Sequence, residues 1–284
     1  MRKRLQTRLS SEDAGKIYNS YDVVGDIAII KVPDGNIENA EKAAKAIMSI
    51  YKNVKTVFVQ ASPITGDYRV RQLRHLAGEN KTSTIHKESG CAFKVDAIKC
   101  YFSPRLSQER SRISALVKSG EVVVNMFAGV GCFSILIAKK VSDAKVYSID
   151  VNPTAIQYMQ ENVKLNRVYK KVIPLLGDSK EIVTAQLQGV ADRVLMPLPE
   201  KALEYLPYAL MALKSSGGWV HYYDFEHATK NENPLEKTKQ KVSERLDGLG
   251  VNYDISLSRI IRSTGPNWYQ TVLDLHVKSL ASKF

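Results

Sequence analysis

The chain has 284 residues, enough for one large or two ordinary domains, and its 44% hydrophobic and 25% charged residues are usual for a globular protein. No apolar run reaches the roughly 20 residues of a membrane helix, no secretory signal is present, and three cysteines without CxxC spacing argue against disulfides and zinc. The net charge of +12 favours a polyanionic partner whose phosphates the basic residues neutralise. From the cysteine usage we expect a cytoplasmic protein, and from the lack of paired His or Cys ligand patterns we expect no metal ion.

Residues 1–17 read as a basic lead-in, and residues 18–102 are predicted to form a small α+β domain. Two short strands precede Pro33, a helix begins at the candidate cap Asn36, and a further strand covers 54–60. Residues 69–81 are predicted to form a basic loop. A hairpin over 84–95 is expected to continue as a strand to Phe102.

Residues 103–284 alternate strand and helix patterns in the manner of a nucleotide-binding α/β sheet. Ser103-Pro104-Arg105 opens a connector, and a helix over 108–118 follows it. The predicted strands cover 121–125, 144–149, 171–176, 192–196 and 219–225, with helices over 133–140, 153–166, 200–213 and 230–249. An antiparallel hairpin over 252–262 and 269–278 ends the domain. This order matches the seven-stranded methyltransferase sheet, whereas a doubly wound dehydrogenase would lack the final hairpin.

The strongest local pattern is a strand, a glycine turn, a helix and a second strand that ends on Asp150. The turn consists of Phe127, Ala128, Gly129, Val130 and Gly131, and its small residues allow a ligand to lie against the backbone. A dinucleotide site would need a third glycine where Ser134 stands. S-adenosylmethionine has a ribose for Asp150 but no phosphates, and it is therefore the preferred cofactor.

Two further strand ends reach the same edge of the predicted sheet. Asp178 follows the third strand and is well placed for an adenine amino group. Pro197 and Pro199 follow the fourth strand, where they stiffen the loop over the crevice. We expect both prolines and Asp178 to contribute to cofactor binding.

Several of these segments together resemble the archaeal and eukaryotic tRNA (guanine-37-N1)-methyltransferases and their wybutosine-pathway relatives. The motifs that carry the resemblance are Phe102-Ser103-Pro104-Arg105 with Glu109-Arg110, residues 125–131, 149–153, Gly177-Asp178, 193–199, His221-Tyr222-Tyr223 and Pro266. They occur in family order over residues 18–280. The family usually has Asn where this chain has Pro197, so a hydrogen bond made by that side chain must be supplied differently here.

The resemblance implies a class I S-adenosylmethionine-dependent methyltransferase domain behind a small RNA-contacting domain. It implies a tRNA substrate, modified at position 37 of the anticodon loop, and we expect a monomer. Many relatives carry a further N-terminal domain, for which this chain looks too short. The candidate RNA contacts are Arg69, Arg71, Arg74, Lys81, Arg105 and Arg110.

Methylation of guanine N1 requires loss of its proton and stabilisation of the charge that develops on O6. Arg105 is the predicted partner of O6, because a guanidinium donates hydrogen bonds and keeps its charge. Asp178 and Glu200 are the candidate bases. From spacing alone, Arg105 is equally consistent with a salt bridge between the domains.

Other functions compete with N1 methylation. Within the family, C7 methylation of a tricyclic wyosine precursor, alone or as a second activity, would suit a pocket widened at Pro197. Aminocarboxypropyl transfer is disfavoured by Leu198-Pro199. A non-catalytic RNA-binding protein would not need Asp150 and Asp178, and a small-molecule methyltransferase would leave the basic domain unexplained.

Overall fold

The structure is a computed structural model that describes residues 21–31, 37–63, 66 and 68–280. The predicted lead-in over residues 1–17 and the helix cap at Asn36 lie outside the described residues.

The N-terminal domain is built on a four-stranded sheet in the order β1-β2-β3-β4. Its strands are β1 (Asp22–Val24), β2 (Ile27–Ile30), β3 (Thr56–Gln60) and β4 (Leu73–Gly78). The parallel pair β2–β3 is connected by helix α1 (Ile37–Ile50), which buries a row of alanines against both strands. The predicted strands and helix are confirmed here.

Two predictions for residues 18–102 are wrong. Residues 73–78 form the edge strand β4 and not a loop, because an edge strand can expose its charged side chains on the open side. The hairpin strands β5 (Ser83–Glu88) and β6 (Cys91–Asp96) end before the predicted Phe102. The Asp96 carboxylate accepts hydrogen bonds from the backbone of Ile98 and Lys99, both at 2.9 Å, and so turns the chain.

The C-terminal domain contains a seven-stranded sheet in the order β12-β13-β11-β10-β7-β8-β9. The strands are β7 (Val122–Asn125), β8 (Lys145–Asp150), β9 (Val172–Leu176), β10 (Arg193–Met196), β11 (Gly218–His227), β12 (Asn252–Gly265) and β13 (Trp268–Ser279). Strands β7 to β11 are parallel, and the hairpin β12–β13 joins β11 antiparallel. This confirms the predicted methyltransferase topology, whose strand order reverses between β7 and β10, where a ligand crevice is expected.

Helices cover the faces of this sheet. They are α2 (Ser107–Leu116) after a 3-10 turn at Pro104–Leu106, α3 (Cys132–Lys140), α4 (Pro153–Leu165), α5 (Ser179–Gln186), α6 (Ala202–Ala212) and α7 (Pro234–Gly248). Only α5 was missed by the sequence analysis. Its signal was the capping residue Asp178, whose carboxylate accepts from the Lys180 N–H at 2.9 Å.

The hairpin β5–β6 is held to α4 by two asparagines that pair with the backbone of β6. Asn162 accepts from the N–H of Lys94 at 2.6 Å and donates to its carbonyl at 2.9 Å. Asn166 makes the same two bonds to Ala92, at 2.9 and 2.7 Å. These amides satisfy the free edge of β6, as a neighbouring strand would. Asn162 also donates to the Val130 carbonyl at 3.1 Å, beside the glycine turn.

Asn162→Ala should therefore lower the free energy of unfolding by about 2–4 kcal/mol, because it leaves buried backbone groups of Lys94 and Val130 without partners. Urea denaturation followed by circular dichroism measures this change. The control is Lys164→Ala on the exposed side of α4, expected within about 0.5 kcal/mol of the unsubstituted protein. Equal midpoints for the two variants would contradict the structural role of Asn162.

Candidate active site

The glycine turn connects β7 to α3 at the carboxyl edge of the sheet, as predicted. Gly129 and Gly131 have φ angles of +56° and +91°, a region that favours glycine. A Cβ added at Gly131 would lie 2.7 Å from Met159 Cγ, so this glycine is needed for packing. A Cβ added at Gly129 would meet only the Tyr101 carbonyl, at 3.8 Å. The backbone at Gly129 is therefore open to a ligand.

Asp150 connects this turn to the end of β8. One carboxylate oxygen accepts from the Gly129 N–H at 2.7 Å and the other from the Asn152 N–H at 2.9 Å. Burial raises the pKa of Asp150, although both hydrogen bonds oppose that shift. Each carboxylate oxygen can accept a second hydrogen bond, so Asp150 can hold the turn and a ribose diol together.

The predicted adenine side of the site contains polar and apolar groups. Asp178 caps α5 and accepts from the Tyr205 hydroxyl at 2.7 Å, and the Tyr205 ring packs edge-on against Phe127. Val151 and Leu176, at the ends of β8 and β9, are large hydrophobic residues that remain exposed. The sequence analysis assigned no role to this pair. Together with Gly129 and Asp150, this surface fits a ribose and a flat adenine ring.

A pocket of about 290 Å³ opens where the two domains meet, and Tyr101, whose carbonyl is the atom nearest to a Cβ built at Gly129, is one of its lining residues. Its lining is mainly cationic and aromatic. The cations are Lys31, Arg69, Arg71, Arg105 and Arg262, the acids are Asp22 and Glu200, and the aromatic residues are Tyr101, Phe102, Phe225 and Trp268. Five cations against two acids give this pocket a positive potential that suits a nucleotide.

Arg69 has the most unusual environment in the pocket. Its backbone is left-handed, with φ +51°, and its side chain is only 13% exposed. The guanidinium lies 4.3 Å from the centre of the Tyr101 ring and pairs with Glu200 at 2.9 Å. Its buried Nε has no hydrogen-bond partner among the described residues. A buried donor without a partner in a strained backbone indicates a ligand-binding residue.

The other predicted basic residues differ in how exposed their side chains are and in whether they pair with acids. Arg105 lines the pocket, 42% exposed, and its Nε bonds to Asp22 at 2.7 Å, the salt bridge between domains that its spacing allowed. Arg71 also lines the pocket, and Arg74 is exposed on β4. Lys81 pairs with Asp26 and Glu79 outside the pocket. Arg110 is buried, and two of its nitrogens bond to Glu88, at 2.5 and 2.7 Å.

The predicted bases lie in different places. Glu200 lines the pocket, in the loop after β10, whereas both oxygens of Asp178 are occupied by its helix cap and by Tyr205. Pro197 and Pro199 shape this same loop, which turns through the bond from Lys201 N–H to the Leu198 carbonyl at 3.1 Å.

A third carboxylate, Glu109, was missed as a candidate. It is 1% exposed and accepts from the Tyr223 hydroxyl at 2.9 Å, from Arg112 at 2.7 Å and from Arg259. Its only sequence signal was its place in the Glu109-Arg110 motif. Distant segments bring these partners together, so spacing could not identify them.

Glu109 ends a chain of buried polar groups that runs across the sheet. Arg112 bonds to Asp274 at 2.5 Å, Asp274 to His221 Nδ1 at 2.6 Å, and His221 Nε2 to Arg193 at 2.7 Å. An arginine only donates, so Nε2 must accept and His221 is the neutral tautomer with its proton on Nδ1. Burial lowers the pKa of His221, which agrees with this assignment. Burial tends to raise the pKa of Asp274, but hydrogen bonds from His221 and Arg112 outweigh burial and hold that pKa below its usual range.

In the described part of the chain, no group of three or more His, Cys, Asp or Glu side chains is arranged to hold a metal ion. Among the described helices, none combines the length and the apolar character that crossing a membrane would require.

Two curated proteins illustrate the similarity of this chain to known sequences. It is 43% identical to tRNA (guanine(37)-N(1))-methyltransferase Trm5b of Pyrococcus abyssi over 91% of this chain and 74% of the relative. It is 37% identical to tRNA 4-demethylwyosine(37)-methyltransferase Taw21 of Saccharolobus solfataricus, over 96% of this chain and 97% of the relative.

Solved structures agree with this similarity. The crystal structure of Pyrococcus abyssi Trm5b has a TM-score of 0.84 and 41% identity, over 95% of this chain and 78% of that one. A complex of aTrm5 with tRNALeu has a TM-score of 0.83 and 37% identity, over 97% of this chain and 77% of that one. Methanocaldococcus jannaschii TYW2 in complex with AdoMet has a TM-score of 0.69 and 28% identity, over 92% of this chain and 100% of that one.

The matches to known families cover both domains. Residues 1–82 match the TYW2 N-terminal domain, and residues 84–249 match the TRM5/TYW2 methyltransferase domain. The strand order of the C-terminal domain agrees with those matches. This chain belongs to the TRM5/TYW2 methyltransferase family.

Proposed function

We propose that this chain transfers the methyl group of S-adenosylmethionine to N1 of guanine 37 in tRNA. The observation that carries the proposal is the positively charged pocket of about 290 Å³, whose lining residue Tyr101 has the carbonyl nearest to the open turn at Gly129. Its volume is near the lower limit of about 300 Å³ for ligand pockets, which suits one flipped base. The similarity to Trm5b of Pyrococcus abyssi supports the target atom. One chain completes the pocket, which supports action as a monomer.

Residues of the turn and the strand ends would hold the cofactor. Phe127, Ala128, Gly129 and Gly131 form its bed, Asp150 takes the ribose, and Asp178 with Pro197 and Pro199 borders the adenine and methionine ends. S-adenosylmethionine supplies a methyl group already activated as a sulfonium, so the residues of this chain need only orient the base and remove its proton.

The charge that develops on guanine O6 needs a hydrogen-bond donor. Arg69 is the better supported candidate, because its Nε is buried without a partner among the described residues and its guanidinium lies over Tyr101, whose carbonyl faces Gly129. Arg105 remains the alternative, at the more exposed side of the pocket. Arg71, Arg74 and Lys81 are proposed to contact phosphates, whereas the pairing of Arg110 with Glu88 removes it from the proposed set.

Glu200 and Glu109 are the carboxylates best supported as the base. Glu200 is close enough to Arg69 to act on a base held there. Glu109 lies in the helix that follows Arg105, and it accepts hydrogen bonds from Tyr223, Arg112 and Arg259. Asp178 is the third candidate, although its two oxygens already accept hydrogen bonds.

C7 methylation of a wyosine precursor is the second candidate function. The observation in its favour is the similarity to Taw21 along 97% of that protein. Pro197 is a second observation in favour of C7 methylation, because a proline cannot donate the hydrogen bond that an asparagine would give to guanine.

Asp150→Ala should weaken S-adenosylmethionine binding about tenfold or more, the effect of losing one or two hydrogen bonds to a charged group. Calorimetric titration measures the dissociation constant. Asp143→Ala removes an exposed acid that precedes β8 and is the matched control. An unchanged constant for Asp150→Ala would refute this cofactor site.

The product identifies the reaction. An unmodified tRNA transcript with G37, incubated with protein and S-adenosylmethionine and then digested, should yield 1-methylguanosine at position 37, identified by mass and retention. Methylation of a wyosine-precursor tRNA, with or without methylation of G37, would assign C7 activity as exclusive or dual. An aminocarboxypropyl adduct would contradict methyl transfer.

Arg69→Ala should lower the single-turnover rate by roughly 10²-fold or more, because it removes a donor to the developing oxyanion. S-adenosylmethionine affinity should stay unchanged. Arg105→Ala is the comparison, and the variant with the larger loss of rate identifies the residue that donates to O6.

Glu200→Gln and Glu109→Gln, measured in the same way, separate the candidate bases, since a lost general base costs about 10²–10⁴-fold. Normal rates for both glutamine variants would exclude both carboxylates.

A further inference from the structure

Trp268 is a large aromatic residue that the proposed chemistry does not use. It is the first residue of β13, at the tip of the closing hairpin, and it is 47% exposed. It lines the mouth of the same pocket as Arg69 and Phe225. A tryptophan left half in water at a pocket mouth gives up much of its possible burial, and such residues commonly serve as contact surfaces.

The tip of the hairpin is firmly held. Gly265 pairs with Trp268 across a two-residue turn of Pro266 and Asn267, and Asn267 has the left-handed φ of +59°. The Asn267 carbonyl accepts from the Ala228 N–H at 2.9 Å, which fastens the turn to the end of β11. The Trp268 ring packs edge-on against His227, 5.3 Å between centres. The ring is therefore pre-positioned, which lowers the entropy cost of binding.

The position of Trp268 along the sheet separates it from the inner pocket, by which we mean the part of the cavity lined by Arg69, Tyr101 and Phe225. Trp268 lies opposite His227 on β11, and His227 is two residues beyond Phe225 on the same face. A strand rises about 3.3 Å per residue, so Trp268 lies roughly 7 Å farther out than Phe225. That is about two base-stacking steps beyond the ring that lines the inner pocket.

The charges around Trp268 indicate what it binds. Arg262 lines the pocket, and its guanidinium bonds to neutral groups, Gln270 at 2.8 Å and Ser103 at 3.2 Å. Its positive charge is therefore available to a phosphate. An exposed aromatic ring beside an available cation is the arrangement by which proteins bind single-stranded nucleic acid without reading its sequence.

We propose that Trp268 is a stacking platform for a nucleobase next to the modified one, and that it holds the anticodon loop open while the target base occupies the inner pocket. This inference rests on the proposed tRNA substrate. It adds a substrate-positioning residue outside the cofactor site and the inner pocket. Arg262 neutralises the phosphate that accompanies the stacked nucleotide.

The first test uses the full chain and a fluorescently labelled anticodon stem-loop RNA with G37. Trp268→Ala should raise the dissociation constant about tenfold, the effect of losing one stacked base, with unchanged S-adenosylmethionine affinity. Trp268→Phe should restore most of the affinity, because a phenyl ring also stacks. Tyr169→Ala is the control, since Tyr169 is 64% exposed and precedes β9, at the opposite edge of the sheet. RNA affinity of Trp268→Ala equal to that of the unsubstituted protein overturns the inference.

The second test identifies the stacked nucleotide. Trp219→Phe leaves Trp268 as the single tryptophan, and its fluorescence should be quenched by the stem-loop. An abasic site at a nucleotide beside position 37 should abolish the quenching, whereas one at position 37 should preserve it. The reverse pattern means that Trp268 contacts the target base and overturns the inference.

These outcomes remain separable from the proposed function. Normal tRNA methylation together with normal RNA binding by Trp268→Ala removes only the stacking role. Absence of tRNA binding and of tRNA modification by the unsubstituted protein removes both.

Discussion

The buried chain of charges behind the pocket constrains much of the C-terminal domain. It connects three strands and one helix to the residue that precedes β7, through Glu121, Arg193, His221, Asp274, Arg112 and Glu109 in that order. Arg112 pairs with both Glu109 and Asp274, and Glu121 is the acid that pairs with the buried Arg193. Removing Glu121 would therefore leave the charge of Arg193 buried without a counter-charge, at a typical cost of about 3–5 kcal/mol. Because helix α2 is fixed to β13 in this way, the pocket segment that precedes the helix is fixed to the sheet as well. The wall of the pocket is in this sense an extension of the core.

The pocket itself is a junction between domains. Strand β1 contributes Asp22, the loop before β4 contributes Arg69, and the methyltransferase sheet contributes Phe225 and Glu200. Neither domain alone contains the pairing of Arg69 with Glu200 or that of Arg105 with Asp22. The arrangement of the pocket lining therefore depends on how the two domains are held together, whereas the glycine turn belongs to one of them.

Local patterns were sufficient to predict the sheet, the glycine turn and Asp150, because a βα unit with an acid after the next strand is built from contiguous residues. The predicted basic loop over 69–81 contains an edge strand, which the sequence did not reveal because charged side chains are equally acceptable on the open side of a strand. Arg69 was predicted as an RNA contact and not as the O6 donor that is now proposed. The position of Glu109 depends on Tyr223 and Arg259, which lie 114 and 150 residues away. Such partners are created by the fold, and no spacing in the sequence encodes them. The boundary at residues 102 and 103 and the roles of the individual site residues remain predictions.

The asparagine pair on α4 has a consequence for the exchange of domains between relatives. Asn162 and Asn166 give the hairpin β5–β6 the hydrogen bonds of an adjoining strand, so that hairpin is structurally part of the methyltransferase body. A chimera joined after Phe102 would bring a foreign hairpin to these two amides and would need its backbone to match their spacing. A junction near residue 82, before β5, would carry the hairpin with its own partners and leave the amides satisfied. Recombination, natural or engineered, is thus easier on the N-terminal side of the hairpin than on its C-terminal side.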